Sequence, residues 1–242
     1  MAKQRLDVLV AQQGLCDSRE QAQRLILAGE VSVKGQVITK PGTKVDDTLP
    51  ITVKNKPRYV SRGGLKLEGA LKVFPVKAEG KICLDIGSST GGFTDCLLQN
   101  GATRVHAVDV GTNQLVWKLR NDPRVVVKEQ FNARYMTPAD LGEKVQLIVS
   151  DVSFISLTKI LPAAYDCLEE GGDLLVLIKP QFELQPEDIG PGGIVRDAVL
   201  HQRAVDKIRT FVTEELHREW CGVADSPITG MEGNKEFLAW LR

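Results

Sequence analysis

Four ionisable side chains, Lys66, Asp151, Lys179 and Glu236, draw attention because each sits at or beside a segment with a regular pattern. Lys66 falls on a helix-like stretch from Leu65 to Val73. Asp151 closes the apolar run that starts at Val145, Lys179 closes the run that starts at Asp173, and Glu236 opens the run that reaches Trp240. Such a set can supply a proton acceptor for a weak nucleophile such as a hydroxyl, or cations that steady the negative charge developing on its oxygen. A single lysine at a strand end is ordinarily a surface charge, so the four carry chemistry only if the fold brings them to one rim.

A second group can hold a ligand. Asp85-Ile86-Gly87-Ser88-Ser89-Thr90-Gly91-Gly92-Phe93-Thr94 ends one apolar strand and opens a helix. That is the crevice in which open α/β sheets bind ligands, and glycine lets backbone approach a ligand closely. Asp109 ends the next strand, 18 residues beyond Gly91, where a carboxylate can accept both ribose hydroxyls of an adenosine. The loop lacks the Gly-Lys-Ser/Thr of a phosphate-binding loop. Ser89 also occupies the second glycine position of a dinucleotide fingerprint, the one that makes room for a pyrophosphate. Asp85 would repel a pyrophosphate but attract a sulfonium or an amino-acid ammonium. The adenosine ligand these residues favour is S-adenosylmethionine.

The elements that must position these groups alternate. Strands are expected at 81–87, 104–109, 124–128, 145–151 and 173–179, with two late ones at 219–224 and 236–240. Helices fit 65–73, 92–100, 156–169 and 197–215. Apolar strands without alternation, spaced by helices, imply a mostly parallel sheet covered on both faces. Strand C-terminal ends then share a rim, which brings Asp151 and Lys179 towards the ligand loop. A long glycine- and proline-rich loop, Gln181 to Asp197, follows Lys179 and is expected to close over a substrate.

The first 56 residues read differently. Leu6, Leu9 and Val10 have helical spacing and Gly14 stops that helix. Ser18 with Gln21 makes a capping start for a second helix bearing Ala22, Leu25 and Ile26, which Gly29 ends. Short strands fit Val31–Val33, Gln36–Ile38 and Leu49–Val53. Lys54-Asn55-Lys56-Pro57 is polar and reaches a proline, so the division expected is a head of residues 1–56, a linker of 57–63 and a large domain of 64–242.

Charge supports that division. The whole chain is neutral, with 31 Lys+Arg and 31 Asp+Glu, but residues 1–72 carry an excess of six basic residues and the remainder an equal acidic excess. A basic head suits a polyanion. The five cysteines, Cys16, Cys83, Cys96, Cys167 and Cys221, form no Cys-x-x-Cys pair, so no metal site is expected and reduced thiols in the cytoplasm are. The N-terminus has no apolar segment of a signal peptide, and no apolar run approaches the ~18 residues of a membrane span.

Three resemblances follow from these motifs. Arg5-Leu6-Asp7, Ser18-Arg19-Glu20-Gln21-Ala22, Leu25–Gly29, Val31–Gly35 and Lys40-Pro41-Gly42 together resemble the RNA-binding domain of ribosomal protein S-four type, which implies that Arg5, Arg19, Arg24, Lys34 and Lys40 contact RNA phosphates. The Asp-x-Gly-x-x-x-Gly-Gly-Phe-Thr pattern resembles the class I (Rossmann-like) methyltransferases, especially the FtsJ-like RNA 2′-O-methyltransferases. Here the resemblance implies a seven-stranded sheet and cofactor contacts from Asp85, Gly87, Ser88, Ser89, Gly91, Gly92, Phe93, Asp109, Val110 and Asp151, with Phe131 packing on adenine and Asn132 meeting its edge. The order Lys66, Asp151, Lys179, Glu236 is similar to the catalytic tetrad of those enzymes. In it Lys179 would activate the 2′-hydroxyl, with Lys66 as the neighbouring cation and Asp151 and Glu236 orienting the pair.

Over its whole length the chain resembles the TlyA/hemolysin A family. Ser61-Arg62-Gly63-Gly64-Leu65-Lys66-Leu67, Asp151–Leu157 and Lys179-Pro180-Gln181-Phe182-Glu183 carry that match, and Arg62 joins the expected RNA contacts. The family implies methylation of cytidine 2′-hydroxyls in ribosomal RNA or ribosomal subunits. Arg58-Tyr59-Val60-Ser61 departs from the family linker, in which an aromatic residue often follows the arginine by two positions. Two rival readings are a cytolysin and an RNA-binding assembly factor with a vestigial methyltransferase fold. The first lacks a spanning or strongly amphipathic segment, and the intact tetrad argues against the second.

Overall fold

The computed structural model describes residues 3–16, 18–54, 57–230 and 233–242, and Asn55 and Lys56 of the expected linker lie outside them. The chain forms two compact units, Met1–Arg58 and Tyr59–Arg242.

In the first unit, β1 (Lys3–Arg5) leads directly into α1 (Leu6–Gln12), and α2 (Arg19–Leu27) follows. Ser18 Oγ accepts the Gln21 N–H at 3.1 Å, which satisfies one of the free amides at the start of α2. Strands β2 (Val31–Val33), β3 (Gln36–Val37), β4 (Lys44–Asp46) and β5 (Ile51–Val53) complete the unit. β1 pairs antiparallel with β4, while β2 lies between β3 and β5. Leu6, Leu9, Val10, Ala22, Ile26, Val31, Val45 and Ile51 form the core. Strands β1 and β4 were not anticipated. Each is three residues of mostly charged or polar sequence, and only their pairing makes them strands.

The second unit runs α3 (Gly63–Val73), β6 (Ile82–Ile86), α4 (Gly92–Gln99), β7 (Arg104–Val108), α5 (Trp117–Arg120), β8 (Val125–Lys128), α6 (Pro138–Leu141), β9 (Val145–Ser150), α7 (Leu161–Cys167), β10 (Leu168–Ile178), α8 (Pro180–Glu183), α9 (Ala198–Thr210), β11 (Trp220–Asp225) and β12 (Phe237–Leu241). Its sheet has seven strands in the order β11-β12-β10-β9-β6-β7-β8. The five from β10 to β8 are parallel, and β12 runs antiparallel to both of its neighbours. Leu84, Ile86, Ile148 and Val176 pack on one face against α7 and α9. Cys83, Val105, Leu147 and Leu175 pack on the other against α3 and α4. The α/β class, the mostly parallel sheet and the small α+β head are as the sequence implies.

Two helices differ from expectation. The segment read as one helix over 156–169 begins with a 3₁₀ turn, Leu157–Lys159, and only then enters α7. Pro162 has no N–H and fits only the first turn of a helix, and Leu157 N–H is drawn off by the Glu183 carboxylate at 2.8 Å. The helix read over 197–215 is α-helical to Thr210 and closes with a π-turn, Phe211–Glu215.

Candidate active site

Crossover topology assembles the four ionisable residues. Asp151 and Lys179 directly follow β9 and β10, so both reach the C-terminal rim of the parallel strands. Because β12 runs the opposite way, its first residue, Phe237, pairs with Ile178 at the end of β10. Glu236 therefore stands at the same rim. Lys66 arrives from α3, which packs beside α4 through Leu67 and Ala70.

The result is a line of alternating charge. Lys66 Nζ lies 2.7 Å from Glu236 Oε2 and 3.5 Å from Asp151 Oδ2. Lys179 Nζ lies 2.6 Å from Asp151 Oδ1 and donates to Ser153 Oγ at 2.8 Å. Lys66 and Lys179 are each 8% exposed and Glu236 3%. Charges this buried persist only when paired. Lys66 is neutralised from two sides, whereas Lys179 has one carboxylate, one hydroxyl and a face towards the cleft.

That cleft has a volume of about 910 Å³. Lys66, Asp151, Lys179 and Glu236 line it together with Gly87, Ser88, Ser89, Gly92, Phe93 and Arg62. The catalytic candidates thus share a cavity with most of the glycine loop. Asp85, Gly91, Asp109, Val110, Phe131 and Asn132 stand outside its lining.

The loop itself is built for close approach. Gly87, Ser89 and Gly91 all have positive φ, at +83°, +47° and +99°. A Cβ on Gly91 would come within 2.3 Å of Leu119 Cδ1 and 2.7 Å of Leu115 Cδ1. Both leucines are core residues, so nothing can yield cheaply. Gly91→Ala is therefore expected to lose about 2–4 kcal/mol of stability, combining left-handed strain with overpacking, and to weaken cofactor binding. Denaturant unfolding and calorimetry check this; a variant as stable as the parent with the same cofactor affinity would separate the loop from binding.

Asp85 is fully buried on the face of β6 towards α4, where Thr94 Oγ1 donates to its Oδ2 at 2.6 Å. Its Oδ1 is buried with no hydrogen-bond partner. Burial pushes the carboxyl up to about 7, and the carboxylates of Asp151 and Asp109 add to the shift. An orphaned buried carboxylate oxygen next to the loop fits the ammonium of an amino-acid moiety. Asp109 takes the Ser89 N–H on one oxygen at 2.8 Å and the Gly111 N–H on the other at 2.7 Å. Each oxygen keeps a second lone pair for a ribose hydroxyl. The residues present therefore fit S-adenosylmethionine.

On the adenine side, the Phe131 N–H donates to Asp109 O at 3.0 Å, and its half-buried ring lies 5.3 Å from Lys128 Nζ. Asn132 is exposed and uses its side chain to cap a short turn by accepting Arg134 N–H. Val110 is exposed.

Arg62 lines the cleft and donates to Thr229 O at 3.3 Å. In the first unit, Arg5 and Arg19 converge on Asp7. Arg24 lies in the last turn of α2, and Lys34 sits at positive φ in the turn between β2 and β3. Lys40 is exposed, and its carbonyl accepts Thr43 N–H in the turn ahead of β4. Tyr59 to Gly63, read as linker, is packed into the second unit: Tyr59 is buried and Val60 N–H donates to Asp95 Oδ2 at 2.9 Å.

Several residues of the site had no role in the sequence reading. Phe154 has φ +63°, is 92% exposed and lines the cleft with its ring 5.1 Å from that of Phe182. Gln181 also lines the cleft, with its Oε1 buried and without a partner. Buried Asn234 accepts Val195 N–H and donates to Gly193 O, both at 2.9 Å, which ties the glycine-rich loop to the start of β12. Period and composition mark Phe154 only as one more apolar residue; its exposure follows from the loop conformation.

Known proteins match the chain along its whole length. Residues 59–242 match the FtsJ-like methyltransferase family and residues 4–49 the S4 domain. The chain is 47% identical over 240 residues to the 16S/23S rRNA (cytidine-2′-O)-methyltransferase TlyA of Mycobacterium tuberculosis, covering 98% of this chain and 89% of the relative. It is 48% identical to Hemolysin A of Brachyspira hyodysenteriae, covering 97% of this chain and 98% of the relative. A solved protein from Streptococcus thermophilus is 51% identical, with a TM-score of 0.76 over 100% of this chain and 88% of that one. No helix among the described residues is long and apolar enough to cross a membrane. With an S4 domain, an FtsJ-like domain and such relatives along its whole length, the chain belongs to the TlyA/hemolysin A family of FtsJ-like methyltransferases.

Proposed function

We propose that this chain transfers a methyl group from S-adenosylmethionine to the 2′-hydroxyl of a cytidine in ribosomal RNA, in the cytoplasm. The observation that carries the reading is the line Glu236–Lys66–Asp151–Lys179 in one cleft with the glycine loop. The base and the RNA class follow the Mycobacterium tuberculosis relative.

The bound cofactor supplies a methyl carbon activated by its sulfonium. Asp85, Asp109 and the backbone of Gly87 to Gly92 would hold it. Lys179, once it has given up its own proton and is a neutral amine, would take the proton of the 2′-hydroxyl as the carbon–oxygen bond forms and the methyl carbon–sulfur bond breaks, and Asp151, 2.6 Å away, would stabilise the resulting ammonium. Glu236 fixes Lys66, and Lys66 fixes the other oxygen of Asp151. The reaction gains mainly from placement, because an in-line displacement needs its atoms aligned. Arg5, Arg19, Arg24, Lys34, Lys40 and Arg62 hold RNA phosphates, a term that weakens with salt.

Phe154 offers the target nucleotide an aromatic face at the mouth of the cleft. Base–aromatic stacking contributes about 1–3 kcal/mol, so Phe154→Ala should raise KM for RNA about tenfold or more with little change in cofactor affinity. Steady-state kinetics reads this; an unchanged KM would remove Phe154 from substrate contact.

The test of the reading is incubation with methyl-labelled S-adenosylmethionine and unmodified ribosomal subunits, followed by digestion to nucleosides. Label in 2′-O-methylcytidine is the expected result. Label on a base, or none although cofactor binds and both subunits are supplied, would overturn it.

A further inference from the structure

Asp7 is fully buried, yet no fewer than four side-chain hydrogen bonds end on its carboxylate. Arg5 grips it with Nε and Nη2, both at 2.9 Å. Arg19 reaches Oδ2 from the start of α2 through Nε at 3.0 Å, and Gln23, one turn on, donates to the same oxygen at 2.9 Å. The Asp7 N–H donates to Pro41 O at 3.1 Å. A Cβ on Gly42 would lie 3.2 Å from Arg5 Nη1, so the loop before β4 rests on that guanidinium.

The arginines are not used up by this arrangement. Their side chains remain 46% and 50% exposed. Among the described residues, no hydrogen bond uses Arg5 Nη1 or either terminal nitrogen of Arg19. Two guanidinium groups this close would repel and swing apart in water; a carboxylate between them cancels the repulsion and fixes their planes. The Arg5 fork holds the carboxyl well below the ordinary carboxylate range against the opposing effect of burial, so the anchor stays ionised through the physiological range.

We infer that Asp7 is a positioning residue for RNA binding, presetting Arg5 and Arg19 as a two-arginine clamp for backbone phosphates. This rests on the reading that the first unit holds RNA. A guanidinium already locked in place loses little rotamer freedom on binding and can present paired donors to phosphate oxygens.

The inference has a sign that simple charge counting does not share. Asp7→Asn raises the local charge of the cluster, and if the arginines act as free charges the variant binds polyanion more tightly. If orientation decides, it binds less tightly. The full-length protein should be titrated with ribosomal RNA over a range of salt, alongside Arg5→Lys and Arg19→Lys, which keep the charge and lose the planar fork. Expected for Asp7→Asn is about a tenfold weaker Kd and a shallower dependence on salt. KM for RNA should rise with kcat and cofactor affinity unchanged, and each lysine variant should show a comparable loss. Asp7→Asn binding as tightly as the parent or more tightly, while Arg5→Ala binds weakly, overturns the positioning role and leaves RNA binding by this unit standing. Unchanged affinity in both Arg5→Ala and Arg19→Ala overturns RNA binding by the clamp itself. Should Asp7→Asn fail to fold, the lysine variants decide: parental affinity in both overturns the inference.

Discussion

Lys179→Ala should lower the rate of methyl transfer at saturating RNA and cofactor by about 10²–10⁴-fold, the range for loss of a positioned acid–base group. Cofactor affinity should change by no more than about twofold, because the glycine loop, Asp85 and Asp109 are untouched. Lys179 is the one member of the charged line with a single carboxylate partner and a side facing the cleft. Removing it leaves Asp151 paired with Lys66 at 3.5 Å, so the rest of the line survives. Lys66→Ala should be less specific. It strands Glu236, 3% exposed, without its 2.7 Å ion pair and costs stability as well as rate. Single-turnover kinetics and calorimetric cofactor titration separate the two effects. Near-parental turnover in Lys179→Ala would remove it as the group that activates the hydroxyl.

Cofactor affinity should rise with pH up to about 7 and then level off. The folded Asp85 carboxyl is pushed up to about 7 by burial, so the free protein carries a proton there below that pH. A ligand ammonium binds the ionised form, and the proton must leave first. For stability the sign is opposite. A carboxyl raised above its unfolded pKa of about 3.9 contributes stability that is fully present below that value and is lost as pH rises through about 7. Asp85→Asn keeps the shape and the Thr94 contact, removes the charge and breaks both dependences. It should weaken cofactor binding about 10- to 100-fold at pH 8, the contribution of a charge-assisted hydrogen bond, while raising the thermal midpoint of the unliganded protein at that pH. Stability given up at a binding site in exchange for function is a common pattern. A cofactor affinity in Asp85→Asn that matches the parent at pH 8 would mean that the orphaned oxygen has another purpose.

The fold class was legible in the sequence, and so were the glycine loop and the four residues that come together as the charged line. Those follow from local rules: a buried parallel strand is a short apolar run, a helix start carries Ser18 or a glycine turn, and residues at strand ends share a rim. Tertiary structure decided what depends on contacts far apart in the chain. Glu236 meets Lys66 only because β12 reverses direction against β10. Strands β1 and β4 exist only because they pair with each other. The helix expected from Ser156 is delayed because Glu183, 26 residues beyond Leu157, takes an amide at its start. Phe154 stands in the loop after β9 at positive φ and is the most exposed large apolar side chain among the described residues, which its apolar type alone does not convey. Arg5 and Arg19 are expected from the sequence as separate phosphate contacts, and a buried carboxylate between them joins the two. Composition and period register how apolar a residue is and how often the pattern returns; which partner a polar group finds is a property of the folded chain.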